Sequence, residues 1–266
     1  MYPEHLGRDG PSPRGSQAEH DPADPFGPDP GTVRAGKSGY VQAVDEEALM
    51  KTATSKDLRL KILQRPGRFV VRGSALVLVW PAAAANEAFC RTMNDAFIVG
   101  RHRTPEQDVE FAINQMVEIA VRALSPGIND PFTACTCIDW LGESLCRIAA
   151  ADEHSTYRYD DQGTVRIVTR VPAFPGIVNA AFDQVRQYGR QSAAVTIRLL
   201  ETIAAVAEHL KDDEQRAALG RQAEMIYCQS RDALPAAEDR ADTEERYHAA
   251  MRALGAEDPP RNLRSG

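Results

Sequence analysis

No stretch of this sequence supplies the roughly 20 uninterrupted apolar residues that a bilayer-spanning helix requires. The most apolar runs, residues 69–85 and 193–207, are interrupted by Arg72 and Pro81 and by Arg198 and Glu201. No membrane span is therefore expected within this chain. The first residues also lack the apolar core of a secretory leader. Basic charge is in short supply: 31 Lys and Arg face 38 Asp and Glu, for a net charge of −7. A general nucleic-acid binder would carry the opposite balance, so nucleic acid is not expected as a partner. Cysteine is scarce and unpaired in pattern: Cys90, Cys135, Cys137, Cys146 and Cys228. Cys135-x-Cys137 has no second Cys or His pair to complete a zinc site, so no metal is expected. All five are expected to be small buried residues in a reducing cytosol. The P-loop, GxGxxG, HExxH and nucleophile-elbow patterns are missing as well. No catalytic residue is named on this basis, no cofactor is expected, and an enzyme is the less supported class.

What is present suffices for a core. Hydrophobic residues make up 43% of the chain, and 266 residues leave room for one large domain or two small ones. Residues 1–35 hold seven prolines before residue 31 and almost no aliphatic side chains. They read as a disordered tail, because too little apolar surface is available to offset ordering entropy. Residues 36–100 follow the order β-α-β-β-α-β. Strands are expected at 40–44, 58–63, 69–80 and 96–99, and helices at 45–54 and 82–94. Leu58, Leu60 and Ile62 alternate with Arg59 and Lys61, the pattern of a half-buried strand. Pro66-Gly67 marks a turn, and Gly73 a bend. This order is that of the split βαβ, ferredoxin-like unit. The turn also resembles the hairpin of lipoyl- and biotinyl-type domains, but it has no lysine at its tip to carry a cofactor.

Residues 101–234 read as a helical subdomain with a β-hairpin near 157–170, and residues 235–266 as a weakly ordered, charged C-terminal segment. The expected class is thus α+β, a small βαββαβ subdomain followed by a mainly helical one. The hairpin arginines Arg158, Arg166 and Arg170 are expected on an exposed, charged edge.

The most informative stretch is 101–140. Thr104 is placed as an N-cap, Pro105 as first helical residue and Gln107 as capping-box partner of a helix reaching about Leu124. Ser125-Pro126-Gly127 stops that helix, Pro126 by breaking the ladder and Gly127 by tolerating positive φ. Asp130-Pro131 starts the next one, which runs to about Ala150. The first helix carries Phe111, Ile113, Met116, Val117, Ile119, Ala120 and Val121 on most of its circumference, the pattern of a central buried helix. Asn114, Glu118 and Arg122 form a polar stripe, either a wet face or a buried network.

Arg103-Thr104-x-x-Gln107-Asp108 and Ala123-Leu124-Ser125-Pro126-Gly127-Ile128-Asn129-Asp130-Pro131 resemble the DUF2254 family, bacterial predicted membrane proteins of unknown function. Ser38-Gly39-Tyr40-Val41-Gln42-Ala43-Val44-Asp45, Pro66-Gly67-x-Phe69-Val70 and the run Ala181 to Gly189 look like further parts of that family, over about residues 36–230 in all. Typical members carry transmembrane helices ahead of this part. A Pro/Gly-rich tail stands there instead, as in a soluble paralogue, a truncated gene or a miscalled start. The resemblance implies no catalytic residues, since the family has no established activity.

The candidate ligand-binding residues are Arg101, His102 and Asp108 at one end of the first helix, and Arg122, Asn129 and Asp130 at the other. Those ends lie roughly 25–30 Å apart at about 1.5 Å per residue, so each needs further residues to form a site. Each residue also has a structural reading. Asp130 is an N-cap, Asn129 satisfies backbone groups, Asp108 complements the helix dipole, His102 lies on a charged surface, and Glu118 and Arg122 pair. Thr104, Pro105, Gln107, Ser125, Pro126, Gly127 and Pro131 belong to the structural joints. The function reads as a non-enzymatic scaffold, sensor or interaction module with a protein partner or a second copy. The alternative is a small-ligand or anion-binding regulator using Arg101, Arg103, Arg122 or the hairpin arginines. A metal-dependent hydrolase built on His102, Asp108 or Asp130 is the least supported. The expected location is cytoplasmic for the chain as it stands, and membrane-associated if it is a piece of a longer family member.

Overall fold

The computed structural model describes residues 26–151 and 155–256. The chain divides into two units, residues 1–111 with 154–171 and residues 112–153 with 172–266. In the first, the described strands are β1 (Gly31–Arg34), β2 (Gly39–Val44), β3 (Arg59–Ile62), β4 (Phe69–Val70), β5 (Ala75–Trp80), β6 (Phe97–Gly100), β7 (Tyr157–Tyr159) and β8 (Val165–Val168). Helices α1 (Glu46–Ser55) and α2 (Glu87–Asp95) join them. Asp45 caps α1 by accepting from Ala48 N, and Asn86 caps α2 by accepting from Phe89 N.

The larger sheet runs β1-β5-β3-β8-β7, and a smaller one runs β4-β2-β6. Period-two burial sets the register of the larger sheet. Leu60 lies opposite Val79 and Ile167, and Val77 lies opposite Val33 and Ile62. These residues are buried, so a slip by one residue would turn the whole row to water.

The α+β class, with a sheet region first and helices after it, is as the sequence implies. The strands do not close into one ferredoxin-like sheet, however. β2 and β6 pair with each other in the small sheet, while β3 and β5 lie in the large one. Two pairings redirect them. β1 comes from the segment expected as a disordered tail, and it pairs with β5. Beside it the Phe26 ring packs edge-on against Trp80, whose Nε1 donates to Gly27 O at 2.9 Å. The tail before Phe26 lies outside the described residues. On the other side of the sheet, β8 pairs in parallel with β3, so the hairpin expected in the helical subdomain belongs to the sheet unit.

The hairpin is not a row of free edge charges either. Arg166 is buried, donating from Nε to Asp160 Oδ2 at 2.7 Å and from Nη1 to Asp57 Oδ1 at 2.6 Å. Its guanidinium holds the Asp160 carboxyl below the ordinary carboxylate range. Arg158 Nε donates to Glu46 Oε2 at 2.9 Å, and Arg170 remains exposed.

The second unit is helical. Helix α3 (Val109–Ala123) enters it, followed by α4 (Pro131–Ala150), α5 (Phe174–Gly189), α6 (Ala193–Ala207), α7 (Asp213–Ala233) and α8 (Ala237–Ala253). The centre is α6 and not α3. Val195, Leu199, Leu200, Ile203 and Val206 are all buried, and α4, α7 and α8 pack around them. Gly142 of α4 allows a close approach to α6, since a Cβ there would fall 2.4 Å from Thr202 Cγ2. In α3 the buried residues are Ile113, Val117, Ala120 and Ala123, with Ile119 half exposed and the Asn114, Glu118, Arg122 stripe in water. It is a one-faced helix.

The charged C-terminal segment, expected to be weakly ordered, forms α8 against α6. Ala250 and Thr243 are buried, and Tyr247 stacks on Tyr227 with centroids 4.4 Å apart. Residues 257–266 lie outside the described residues. The five cysteines are free. Against the expectation that all are buried, Cys137 is buried, Cys90, Cys135 and Cys146 are half-buried, and Cys228 is exposed. Burial pushes the thiols of Cys135, Cys137 and Cys146 up, which makes them poor thiolates. Among the described residues no helix is long and apolar enough to cross a membrane.

Candidate functional site

The Pro66-Gly67 turn and residues 101–110 form one interlocked assembly in the sheet unit. Pro66 and Gly67 occupy the middle of a turn closed by Arg68 N donating to Arg65 O at 3.2 Å, with Gly67 at φ 87°. Gly67 N donates to Val41 O at 2.8 Å, and Val41 N to Arg68 O at 2.9 Å, which pins the turn to β2. Only glycine fits. A Cβ there would fall 2.2 Å from Asp108 Oδ2, in addition to the strain of the left-handed backbone.

Asp108 is buried and fully engaged. Its carboxylate accepts from Arg103 Nε at 2.7 Å and Nη2 at 2.9 Å, and its Oδ1 accepts from Phe111 N at 3.1 Å. Arg103 also stands over the Phe111 ring, 5.2 Å from its centroid. The Asp108 carboxylate holds the Arg103 guanidinium more firmly charged. Glu110 accepts from Arg65 Nη2 at 2.7 Å, and Gln42 Nε2 donates to His102 O at 2.8 Å.

This arrangement corrects the expected start of the helix. α3 begins at Val109 with Asp108 as its capping side chain, whereas the Thr104, Pro105, Gln107 capping box does not form. Gln107 is used elsewhere: its Oε1 accepts from Val44 N at 3.0 Å, and its Nε2 donates to Val44 O at 3.4 Å. The Arg103–Asp108 ion pair and two bonds to the end of β2 stand in place of one additional helical turn.

The second joint, Ser125 to Asp130, is wound by local bonds. Ser125 Oγ donates to Arg122 O, Asn129 N to Ser125 O, and Asp130 N to Ala123 O. The left-handed residue is Asn129, at φ 49°, and not Gly127 as the sequence suggests. Asp130 caps α4 through Phe132 N and Thr133 N and also accepts from Thr133 Oγ1. The Thr133 hydroxyl holds the Asp130 carboxyl below its ordinary value. Pro131 takes the first helical position.

The six candidate ligand residues thus divide between the units. Arg101, His102 and Asp108 lie in the first; Arg122, Asn129 and Asp130 lie in the second. Asp108 and Asp130 serve as caps, Arg122 pairs with Glu118 at 2.7 Å in the open, and Arg101 and His102 are exposed. Among the described residues no group of three or more His, Cys, Asp or Glu side chains is placed to hold a metal ion.

Sequence reasoning missed the outer face of α4. Its inner face is formed by Ala134, Cys137, Ile138, Leu141 and Leu145. On the outside Phe132 is 84% exposed and Trp140 59%. Ile128 in the preceding joint and Ile119 on α3 are also exposed. The readable signal is the spacing of Phe132 and Trp140, two turns apart and outside the arc of core residues.

A family model described as "Predicted membrane protein (DUF2254)" matches residues 5–205. The uncharacterized proteins Rv1290c of Mycobacterium tuberculosis and Mb1321c of Mycobacterium bovis are each 29% identical over 231 residues. The alignment takes in 85% of this chain and 43% of either relative, so the chain spans less than half the length of the curated relatives it matches. No solved structure matches it. With three quarters of its length inside the family match, the chain belongs to the DUF2254 family.

Proposed function

We propose that this chain is a non-enzymatic interaction module that docks a membrane-embedded protein through the outer face of α4. The exposure of Phe132 and Trp140 carries the reading. Rings of this size contribute most when buried, and an apolar patch left in water on a folded unit marks a docking surface. Asp139, paired with Arg198 at 3.2 Å, supplies a polar rim beside Trp140. The family description supports a membrane-embedded partner, as does the further length of the relatives beyond the matched part. The commitment of Asp108 and Asp130 to caps supports a role without catalysis.

The test uses the full chain and the unmatched part of Rv1290c, produced separately in detergent. Trp80 is buried, so the part of the emission change that is lost in a Trp140→Phe variant reports on Trp140. The expected result is a blue shift and comigration on gel filtration; Phe132→Ser should abolish both, and Trp140→Ser should abolish the comigration. A chain that stays monomeric and shows no emission change would sink the reading.

A further inference from the structure

Beside the Pro66-Gly67 turn the sheet unit holds a cleft of about 300 Å³ lined by Leu63, Gln64, Arg65, Arg68, Phe69 and Arg170. Three of the six lining residues are arginines and none is acidic. In a chain of net charge −7 this is a local reversal of sign. Arg65 is oriented by Glu110 at 2.7 Å, which neutralises one charge from outside the lining. Arg68 and Arg170 are exposed, and no ion pair engages them among the described residues. We infer that this cleft binds a phosphate-bearing anion.

The fold builds this site from distant parts of the chain. Arg68 closes the Pro66-Gly67 turn, which β2 and Asp108 hold in place. Arg170 arrives through the parallel pairing of β8 with β3, in which Val168 lies opposite Lys61. Guanidinium groups suit phosphate because their planar donors pair bidentately with its oxygens. The volume is at the lower end of small-molecule pockets and admits more than a bare phosphate. Phe69 gives the cleft one apolar wall. Phe69 is 57% exposed, and its ring is steadied edge-on by Tyr40, with centroids 5.1 Å apart. A ligand that carries a flat ring next to its phosphate would use both parts.

Two sources carry this chemistry, a soluble phosphorylated metabolite and a phospholipid headgroup, and two arms of one experiment separate them. In the first, pyrophosphate and AMP are titrated calorimetrically into the full chain. In the second, the chain is floated with phosphatidylglycerol-containing vesicles and with pure phosphatidylcholine vesicles. Binding is expected in one arm, weakening as salt rises. Arg68→Ala with Arg170→Ala should reduce it by at least about tenfold, and the paired Lys variants should retain part of it. Phe69→Ala should weaken AMP more than pyrophosphate, a difference that a general structural defect would not produce. These side chains are exposed, so the variants should melt with wild type. Binding to vesicles alone assigns the headgroup, and binding to AMP assigns the metabolite. No binding in either arm at about 10 mM anion, or binding unchanged in the double Ala variant, overturns the inference.

Discussion

Asp108 caps α3 and Asp130 caps α4, each accepting from a backbone N–H three residues ahead. Their surroundings differ. Among the described residues the Asp130 carboxylate finds its partners within its own first turn, chiefly Thr133. Asp108 is buried, holds both donors of the Arg103 fork, and lies against the backbone of Gly67 about forty residues away in sequence. The first cap is local and replaceable. The second is a junction between a helix, a charged side chain and a turn. Equal capping geometry therefore does not mean equal consequence, because the cost of removing a carboxylate depends on what it leaves unpaired.

The largest effect is expected at Asp108. Asp108→Ala strands the partly buried Arg103 guanidinium and should cost about 3 kcal/mol, or about 10 °C in melting temperature. Asp108→Asn should recover little, since an amide caps a helix but does not neutralise Arg103. Calorimetric melting decides this, and an Asn variant as stable as wild type would erase the contrast with Asp130. Next comes Gly67→Ala, expected to cost about 2 kcal/mol through left-handed strain and collision with Asp108. Combined with Asp108→Ala it should cost less than the sum of the two, because the collision partner is gone. Simple additivity in denaturant melts would disprove the contact.

Asp130→Ala should lower the melting temperature by only about 3 °C, and Asp130→Asn by less than about 1 °C, since Asn caps as well as Asp. The smallest effect is on titration. The Asp130 carboxyl is depressed in the folded state, chiefly by Thr133, so its contribution is present above the unfolded value of about 3.9. It is lost as pH falls through the lower folded value. Thr133→Val should move that loss upward toward pH of about 3.9. Carbon-detected NMR of the side-chain carboxyl reads it directly, and an unmoved titration would mean that the backbone bonds alone set the value.

Much of the fold was legible where local chemistry dominates. Leu58, Leu60 and Ile62 point inward as their alternation requires, and Asp130 caps the helix that it precedes. The Pro66-Gly67 turn lies where the dipeptide places it. Thr104 and Gln107 illustrate the limit. They satisfy every local rule for a helix start, but the start moves to Asp108, because Gln107 bonds the end of β2 and Arg103 meets a buried acid. α3 illustrates another. Its composition resembles that of a central helix, yet burial is granted by neighbours, and α6 has them on more sides. The arginine cleft was invisible for a related reason: Arg68 and Arg170 are far apart in sequence, and only the β3–β8 pairing brings them together.

The amino-acid sequence by itself determined the α+β class, the position of most helices and turns, the Asp130 cap, and the family. Each follows from forces that act over a few residues, such as side-chain periodicity, proline and glycine backbone limits, and hydrogen bonds to the nearest N–H groups. Tertiary structure alone decided which strands pair, which helix is central, which aspartate is a junction, and which charges converge on a cleft. Those outcomes depend on burial and on partners distant in sequence, and the energy of a charge or an apolar face is set by what is packed against it.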